Sequence, residues 1–247
     1  MNDDELARRL ADEAGAELVA LRERRGFGDP KALRDEADAM SHRLLMKRLA
    51  ETRPADAVLS EEGHDDQTRL ASDRVWIVDP LDGTREYGEA GRTDWAVHVA
   101  LWQRGQLVAG AVALPAQGVT LATDDPPPPP KPHDGPIRLA VSRSRATAMV
   151  TAVGQRLAAE LVPMGSAGAK AAAVIRGEAD AYVHAGGQYE WDSAAPVVVA
   201  NAASVFTSRI DGSPLTYNHA DPWLPDLVVC RADLATAVLA AIAEAGE

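Results

Sequence analysis

Apolar residues recur at helical spacing through the first part of the chain. Leu6, Leu10 and Leu18 share one face when residues 3–24 are wound as a helix, so this spacing predicts an amphipathic helix. The same kind of spacing predicts a second helix over residues 31–51. Glycine and proline residues between the two segments mark a break. The chain is therefore expected to begin with two consecutive helices.

Short runs of strand-forming residues follow the two helices. Strands are predicted over residues 57–60 and 75–78, where apolar and β-branched side chains cluster. Alternation of side-chain character predicts a strand over residues 94–102. Further strands over residues 106–114 and 118–122 would complete an antiparallel meander.

The last part of the chain alternates strands and helices, which is typical of an α/β fold. The predicted elements are strand 137–141, helix 145–159, strand 160–163, helix 167–176, strand 179–183, helix 192–203, strands 204–207 and 226–230, and a final helix from residue 231.

A proline run lies between the meander and the alternating region. Residues 126–130 are consecutive prolines, which favour a stiff polyproline conformation. We take residues 126–136 as a linker between an N-terminal α+β lobe, residues 1–125, and a C-terminal α/β lobe, residues 137–247. A spacer loop is the favoured interpretation, and a docking ligand for a proline-recognition domain is the alternative.

Composition narrows the class of protein. With 247 residues the chain can bury a sizeable core, and its net charge of −12 disfavours binding to nucleic-acid polymers or acidic membranes. The sequence starts with an acidic segment, and no stretch reaches the roughly 20 apolar residues of a membrane span. The single cysteine, Cys230, excludes an internal disulfide and is expected in the core. These observations predict a cytoplasmic location.

Two carboxylates stand directly after the predicted strand 75–78. Pro80 and Gly83 prevent the strand from simply continuing, so Asp79 and Asp82 should face one cavity. Two carboxylates that close repel each other unless a proton or a cation lies between them. Because the ligand atoms available here are oxygens, a hard divalent cation is expected, and Mg²⁺ is the favoured ion.

The residues after these acids predict an anion site. Gly83 and Thr84 begin a short helix that continues to Tyr87, and the N–H groups at a helix start bind anions such as phosphate. A metal site and an anion site in one loop indicate phosphate ester chemistry. The negative net charge is compatible with a small anionic substrate, because metals and a few basic residues invert the local field.

Two more acids, Glu61 and Asp192, lie at the end of an apolar run or beside a tryptophan. The alternative role for any one acid is a helix cap or an arginine pair, and Asp192 suits an N-cap in particular. The pair Asp79 and Asp82 is harder to explain in that way, because no lysine or arginine lies between them.

Three motifs containing these acids occur in order along the chain. They are Ser60-Glu61-Glu62-Gly63, Trp76-Ile77-Val78-Asp79-Pro80-Leu81-Asp82-Gly83-Thr84 and Glu190-Trp191-Asp192-Ser193-Ala194-Ala195-Pro196. Together they resemble the signatures of the inositol monophosphatase superfamily, whose members are lithium-sensitive, magnesium-dependent phosphatases. The resemblance covers nearly the whole chain. It implies a layered α-β-α-β-α sandwich of the inositol monophosphatase and fructose-1,6-bisphosphatase type.

The resemblance implies a role for each acid. Glu61, Asp79 and the main-chain carbonyl of Leu81 would hold a first Mg²⁺. Asp79, Asp82 and Asp192 would hold a second, and Asp79 would bridge the two. Asp192 is also expected among the substrate contacts.

The remaining catalytic roles follow from the same resemblance. Glu61 would help to orient the attacking water, and Thr84 would assist in activating it. The N–H groups of Gly83 and Thr84 would hold phosphate oxygens. Water would attack the phosphorus in line, without a covalent enzyme intermediate.

One segment departs from the family pattern. Where many members have Val-Thr-x-Ala-Asp before the second long helix, this chain has Leu33-Arg34-Asp35-Glu36-Ala37-Asp38, of which only the last two residues fit. We expect Asp35 and Asp38 to be solvated helix residues. The resemblance therefore implies two Mg²⁺ ions, and a third would depend on Asp35 or Asp38.

Two stretches point to a branch of the superfamily. The segments from Val141 to Arg145 and from Gly165 to Lys170 resemble those of the nucleotide branch, the CysQ-type 3′-phosphoadenosine 5′-phosphate phosphatases of sulfur assimilation and nucleotide metabolism. Arg143 or Arg145, together with Lys170, could meet a second phosphate far from the metals. Ser142 and its neighbour Ser144 could bind ribose or phosphate.

Each basic residue also has a simpler interpretation. Arg143 and Arg145 could be surface arginines at a turn, and Lys170 could be an exposed helix lysine. His98 is expected on a sheet face, His184 and His219 are expected in loops, and none of the histidines is assigned to catalysis.

The sequence is compatible with three functions. The first is a phosphoric monoester hydrolase of the 3′(2′),5′-bisphosphate nucleotidase type, which would hydrolyse the 3′-phosphate of 3′-phosphoadenosine 5′-phosphate to AMP. The second is an inositol-1-phosphate or fructose-1,6-bisphosphate phosphatase, with broad specificity included. The third is a catalytically silent metal- or phosphate-binding regulator. Members of the superfamily are often homodimers, a state that no residue of this sequence fixes.

Overall fold

A computed structural model describes residues 1–144 and 146–246 of the chain. Within them the helices are α1 (Asp3–Arg25), α2 (Pro30–Thr52), α3 (Thr84–Tyr87), α4 (Ala148–Arg156), α5 (Ala167–Ile175), α6 (Glu190–Ala202) and α7 (Ala235–Ala245). The strands are β1 (Ala57–Ser60), β2 (Arg74–Asp82), β3 (Ala96–Gln103), β4 (Gln106–Leu114), β5 (Val119–Ala122), β6 (Arg138–Ser142), β7 (Glu160–Met164), β8 (Ala181–Tyr189), β9 (Phe206–Ser208) and β10 (Trp223–Cys230).

The first sheet contains β1 to β5 in chain order. β1 runs parallel to β2, and the later neighbours pair antiparallel, so the predicted meander is confirmed. Helices α1 and α2 pack against one face of this sheet. Their apolar stripes bury Leu6, Leu10 and Leu33 completely or almost completely.

The second sheet has the order β7-β6-β8-β10-β9. Helices α5 and α6 lie between the two sheets and contact both, and α4 and α7 cover the outer face of the second sheet. The layers therefore alternate as helix, sheet, helix, sheet and helix. This arrangement confirms the predicted α/β class and the α-β-α-β-α sandwich.

Strand β2 is buried on both faces because helices cover both sides of its sheet. Trp76 and Val78 pack with α1 and α2, whereas Val75 and Ile77 pack toward α5 and α6. A strand with two buried faces reads as a continuous apolar run. The acids at its end are therefore delivered to the interior of the molecule.

Three sequence-based predictions about local structure need correction. Strand β2 does not stop at Val78 but continues to Asp82 through a register shift opposite β3. Strand β8 extends well beyond 179–183, so that His184 lies in a strand and not in a loop. Helix α6 begins at Glu190, and Asp192 is therefore not the N-cap but a residue of the first turn.

A buried carboxylate joins several segments of the second sheet. Asp180 is fully buried, and its oxygens accept hydrogen bonds from Arg138, from Arg231 at 2.8 Å and from His133 Nε2 at 2.8 Å. His133 belongs to the predicted linker 126–136. The linker is thus attached to the second sheet through a charge that three cationic or polar side chains share.

This attachment predicts a pH-dependent contribution to stability. The hydrogen bond to Asp180 raises the pKa of His133 above its usual value of about 6.5. Stabilisation by this pair is complete below that usual value and is lost as the pH rises through the raised pKa. We expect His133→Gln to lower the free energy of unfolding more at pH 5.5 than at pH 8.5, as measured by urea denaturation. An equal loss at both pH values would contradict the prediction.

Candidate active site

The acid pair sits at an irregular strand end. Asp79 pairs with His98 in the ladder between β2 and β3, but the register shifts before Asp82. Pro80 lies inside this shift, and its carbonyl oxygen accepts a 2.7 Å hydrogen bond from the buried Ser41 hydroxyl. One oxygen of Asp79 accepts the Leu81 N–H at 2.9 Å. Asp79 and Asp82 therefore flank the interruption of the regular ladder.

Asp82 is bound to the beginning of helix α5. Its carboxylate accepts hydrogen bonds from the Ser166 hydroxyl at 2.5 Å, the Ala167 N–H at 3.2 Å and the Gly168 N–H at 2.6 Å. Gly83, which follows Asp82, has a φ of 84°, and a Cβ there would lie 3.0 Å from the Cβ of Ser166. Glycine at this position therefore permits both the backbone conformation and the close approach of α5.

The other two acids arrive from distant elements. Asp192 lies in the first turn of α6, and its Oδ2 accepts the Tyr189 N–H at 2.6 Å. One oxygen each of Asp79, Asp82 and Asp192 lie within 4.8 Å of one another. Glu61 follows β1 and lines the same cleft as the other three acids, where its carboxyl group interacts electrostatically with that of Asp79. The structure thus brings together all four acids predicted as metal ligands.

Burial and mutual repulsion shift the pKa of these groups. Burial raises the pKa of Asp79 well above its usual range, and the neighbouring carboxylates raise it further. The same causes raise the pKa of Glu61 to about 7 and that of Asp192 to about 6. Burial would also raise the pKa of Asp82, but the pairing with His98 and the hydrogen bond from Ser166 lower it to about 2.

These properties fit a hard divalent cation. The donor set consists only of oxygen atoms, and three of its carboxylates converge within 4.8 Å. The charges that shift the pKa of Asp79 most are those of Glu61, Asp82 and Asp192, so like charges crowd this part of the cluster. A metal ion bound at this cluster would supply the missing positive charge.

Thr84 links the acid cluster to helix α2. Its hydroxyl donates to the Leu81 carbonyl oxygen at 3.0 Å, and it lies near enough to Asp38 to influence the pKa of that carboxyl group. Burial, with repulsion from Glu62 and Glu61, raises the pKa of Asp38 to about 7. Asp38 is half-buried, so the expectation that it is a solvated helix residue was wrong. Asp35 is exposed and pairs with Lys31, as expected for a helix acid.

The cluster lies in a cleft of about 640 Å³ between the two sheets. Lys170 lines this cleft and is only 5% exposed, so it is not an exposed helix lysine. Its Nζ donates to the carbonyl oxygens of Gly165 at 3.0 Å and Ser166 at 2.5 Å. Arg85, which the sequence-based reasoning missed, also lines the cleft and is exposed.

The remaining predicted substrate residues lie in different places. Ser142 and Ser144 line the cleft. Arg143 does not belong to the residues that line it, because its guanidinium donates to Glu86 at 2.7 Å and to Glu89 at 2.9 Å. Arg145 lies outside the described residues.

An aromatic side chain stands at the edge of the cleft. Tyr189 lines the cleft, and 45% of it is exposed. Its ring is stacked on that of Trp191, with 4.7 Å between the centroids and 10° between the planes. The only sequence signal for Tyr189 was its place directly before the third motif, and nothing local indicated that its ring would be exposed at the cleft.

The fold and the site agree with a sequence match over residues 4–125 and 134–246 to the inositol monophosphatase family. The chain belongs to this family, which confirms the resemblance seen in the three motifs. Within the described residues, no helix is long and apolar enough to cross a membrane.

The chain is similar over nearly its whole length to named phosphatases and to solved structures of the family. A Mycobacterium leprae protein named 3′-phosphoadenosine 5′-phosphate phosphatase is 51% identical over 256 residues, which cover 99% of this chain and 94% of the relative. The crystal structure of CysQ from Bacteroides thetaiotaomicron is 26% identical, with a TM-score of 0.77, and covers 93% of this chain and 97% of that chain. Inositol monophosphatase II from Staphylococcus aureus, at 22% identity and a TM-score of 0.79, shares the fold over 94% of this chain and 92% of that chain.

Proposed function

We propose that this protein is a metal-dependent phosphatase that hydrolyses the 3′-phosphate of 3′-phosphoadenosine 5′-phosphate to AMP. The observation that carries the proposal is the convergence of Asp79, Asp82 and Asp192, with one oxygen each within 4.8 Å, in a cleft lined by Lys170 and Arg85. Supporting it are the family membership and the name of the relative that is 51% identical.

The proposed metal ligands are those that the family pattern implies. Glu61, Asp79 and the Leu81 carbonyl would hold one Mg²⁺, and Asp79, Asp82 and Asp192 would hold the second. When bound, the metals would make water nucleophilic near neutral pH and would neutralise charge on the leaving oxygen. The proximity of Asp38 to Glu61 makes it the candidate side chain for a third ion.

The chain's own residues would perform the remaining steps. The Thr84 hydroxyl would accept a proton from the attacking water and pass the hydroxyl proton to the nearby Asp38 carboxylate. Glu61 would orient that water. The Gly83 and Thr84 N–H groups would hold the phosphate oxygens. No covalent bond between enzyme and substrate is required.

The second phosphate and the base would occupy the rest of the cleft. Among the described residues, the lysine and arginine that line it are Lys170 and Arg85, so we assign them to the second phosphate. For Arg143 to serve as predicted, it would have to exchange Glu86 and Glu89 for the substrate. The exposed ring of Tyr189 offers an aromatic surface for an adenine base, which favours a nucleotide over a cyclic polyol.

A comparison of three substrates tests the proposed function. The enzyme is assayed with Mg²⁺ and 3′-phosphoadenosine 5′-phosphate, inositol 1-phosphate or fructose 1,6-bisphosphate, and kcat/KM is determined for each. The proposal requires the nucleotide to have the highest value. A higher value for either other substrate would favour the second function, and no turnover of any of them would favour a silent regulator.

Truncation of the exposed aromatic ring should affect the nucleotide alone. We expect Tyr189→Ala to raise KM for 3′-phosphoadenosine 5′-phosphate by about tenfold, because stacking of a base on an aromatic ring contributes about 1–3 kcal/mol. KM for inositol 1-phosphate, which has no base, serves as the control and should stay unchanged. Equal increases in KM for both substrates would show that the ring acts on the site as a whole.

Two further predictions concern the assembly and the chain's division. The homodimer and the lobes 1–125 and 137–247, joined by 126–136, remain predictions. Light scattering during size-exclusion chromatography would measure the molar mass and so test for the homodimer. Limited proteolysis would test the division into lobes by showing whether cleavage falls within residues 126–136.

A further inference from the structure

The imidazole of His98 is enclosed beside the acid cluster. The residue lies on β3 opposite Asp79 and is completely buried. Its Nδ1 lies 2.9 Å from the main-chain carbonyl oxygen of Trp191. Its Nε2 lies 3.3 Å from Asp82 Oδ2, at ion-pair distance but outside hydrogen-bond geometry, and no other described atom accepts from it. Each ring nitrogen therefore faces an oxygen that can only accept.

These two contacts connect the parts of the chain that carry two predicted metal ligands. Asp82 ends β2, and Trp191 directly precedes Asp192 in the first turn of α6. The ring thus spans the space between β2 and the start of α6. The predicted ligands Asp82 and Asp192 are separated by more than a hundred residues in sequence, so their spacing depends on such tertiary contacts.

The ring also determines how closely α5 can approach. A Cβ at Gly168 would lie 2.0 Å from His98 Nε2 and 3.1 Å from Asp82 Oδ2. The absence of a side chain lets the Gly168 N–H reach Asp82 at 2.6 Å while the imidazole occupies the adjoining space. His98 and the α5 start therefore hold the same carboxylate oxygen from two directions.

We propose that His98 is a positioning residue that, through Nε2, orients the Asp82 carboxylate so that Asp82 and Asp192 can bind one divalent ion together. This inference rests on the divalent site of the proposed function. Groups that hold a metal-binding side chain in place commonly contribute about 10–100-fold to metal affinity.

Two conservative variants separate the two contacts of the ring. The amide nitrogen of glutamine can take the place of Nε2, so His98→Gln keeps a donor toward Asp82. The shorter asparagine places its amide near Nδ1, so His98→Asn keeps only the donor toward Trp191. We expect His98→Leu and His98→Asn to weaken Mg²⁺ binding by about 10–100-fold, and His98→Gln to restore most of it.

Mg²⁺ affinity is measured on each variant without substrate, from the rise in melting temperature with Mg²⁺ concentration and by isothermal titration calorimetry. Urea denaturation without metal reports whether each variant is folded. Wild-type Mg²⁺ affinity in a folded His98→Asn or His98→Leu variant would overturn the proposal. Equal recovery of Mg²⁺ affinity in His98→Asn and His98→Gln would also overturn the proposal. That result would mean that packing or the Trp191 contact, and not the contact with Asp82, is responsible.

A double-mutant cycle shows whether His98 acts through Asp82. If it does, Asp82→Asn combined with His98→Asn should weaken Mg²⁺ binding no more than Asp82→Asn alone. Full additivity of the two losses would contradict the proposal. Absence of any Mg²⁺ response in the wild-type protein would refute the metal site of the proposed function itself. Normal wild-type binding with unaffected His98 variants would refute only the role of His98.

Discussion

Asp79→Asn is expected to lower kcat/KM for 3′-phosphoadenosine 5′-phosphate by at least about 10³-fold at saturating Mg²⁺. The reason is that Asp79 is the carboxylate shared by both proposed metal ions, and metal assistance contributes several kcal/mol at about 1.36 kcal/mol per tenfold in rate. Asparagine keeps the oxygen that accepts the Leu81 N–H, so the local backbone should be retained.

The same variant should not lose stability in the absence of metal. Buried carboxylates repel one another here, as the raised pKa of Asp79 indicates. Removing one charge relieves that repulsion, so the melting temperature without metal should equal or exceed that of the wild type. The rise in melting temperature on adding Mg²⁺ should disappear, because stabilisation by a ligand depends on its affinity.

Asp73→Asn is the matched control, since Asp73 lies just before β2, is 67% exposed and pairs with Arg104. It should leave both activity and the Mg²⁺ response unchanged. Retained turnover by Asp79→Asn in an assay with excess metal would refute the proposed role of Asp79.

Asp180→Asn is expected to cost about 3–5 kcal/mol of unfolding free energy, the usual effect of removing one partner from a buried ion pair. This fully buried carboxylate is contacted by three side chains, those of Arg138, Arg231 and His133. Burial alone would raise the pKa of Asp180, but the hydrogen bonds from Arg138 and His133 outweigh that effect and lower the pKa. Because small domains are stable by only about 5–15 kcal/mol, the loss should be evident in urea denaturation.

Asp233→Asn tests whether the large loss of stability expected for Asp180→Asn depends on the burial of that carboxylate. Asp233 accepts from the same Arg231 at 2.7 Å, but its side chain is 49% exposed. Its loss should cost less than about 1 kcal/mol, as for other exposed ion pairs. Similar losses of unfolding free energy in the two variants would mean that the buried network around Asp180 stabilises the protein no more than an exposed ion pair does.

Features set by neighbouring residues were predictable. Helix α1 was expected over residues 3–24 and runs over Asp3–Arg25, because helical spacing repeats over six turns and depends on local geometry. The acids Asp79 and Asp82 were found because one short motif contains them together with Gly83 and Thr84. The predicted convergence of Glu61 and Asp192 on this pair came from the family resemblance, and the structure places them there.

Features that depend on distant contacts were missed or misjudged. Strand β2 was ended too early, since proline and glycine signal a break without revealing that a shifted ladder can accommodate them. Asp38 was expected in solvent because the sequence does not show which side of α2 faces Thr84. The pairing of Arg143 with Glu86 and Glu89 was not foreseen, because nothing local shows that these two acids lie beside it.

The sequence alone therefore determined the α/β class through periodicity and the family through short contiguous motifs. The resemblance carried by those motifs implied the layered fold and the four candidate acidic ligands. Only the tertiary structure decided which groups surround those acids: Asp38 behind Thr84, His98 between Asp82 and α6, and Tyr189 at the cleft edge. The physical reason is that burial, hydrogen bonding and repulsion act between atoms close in space, whatever their separation along the chain.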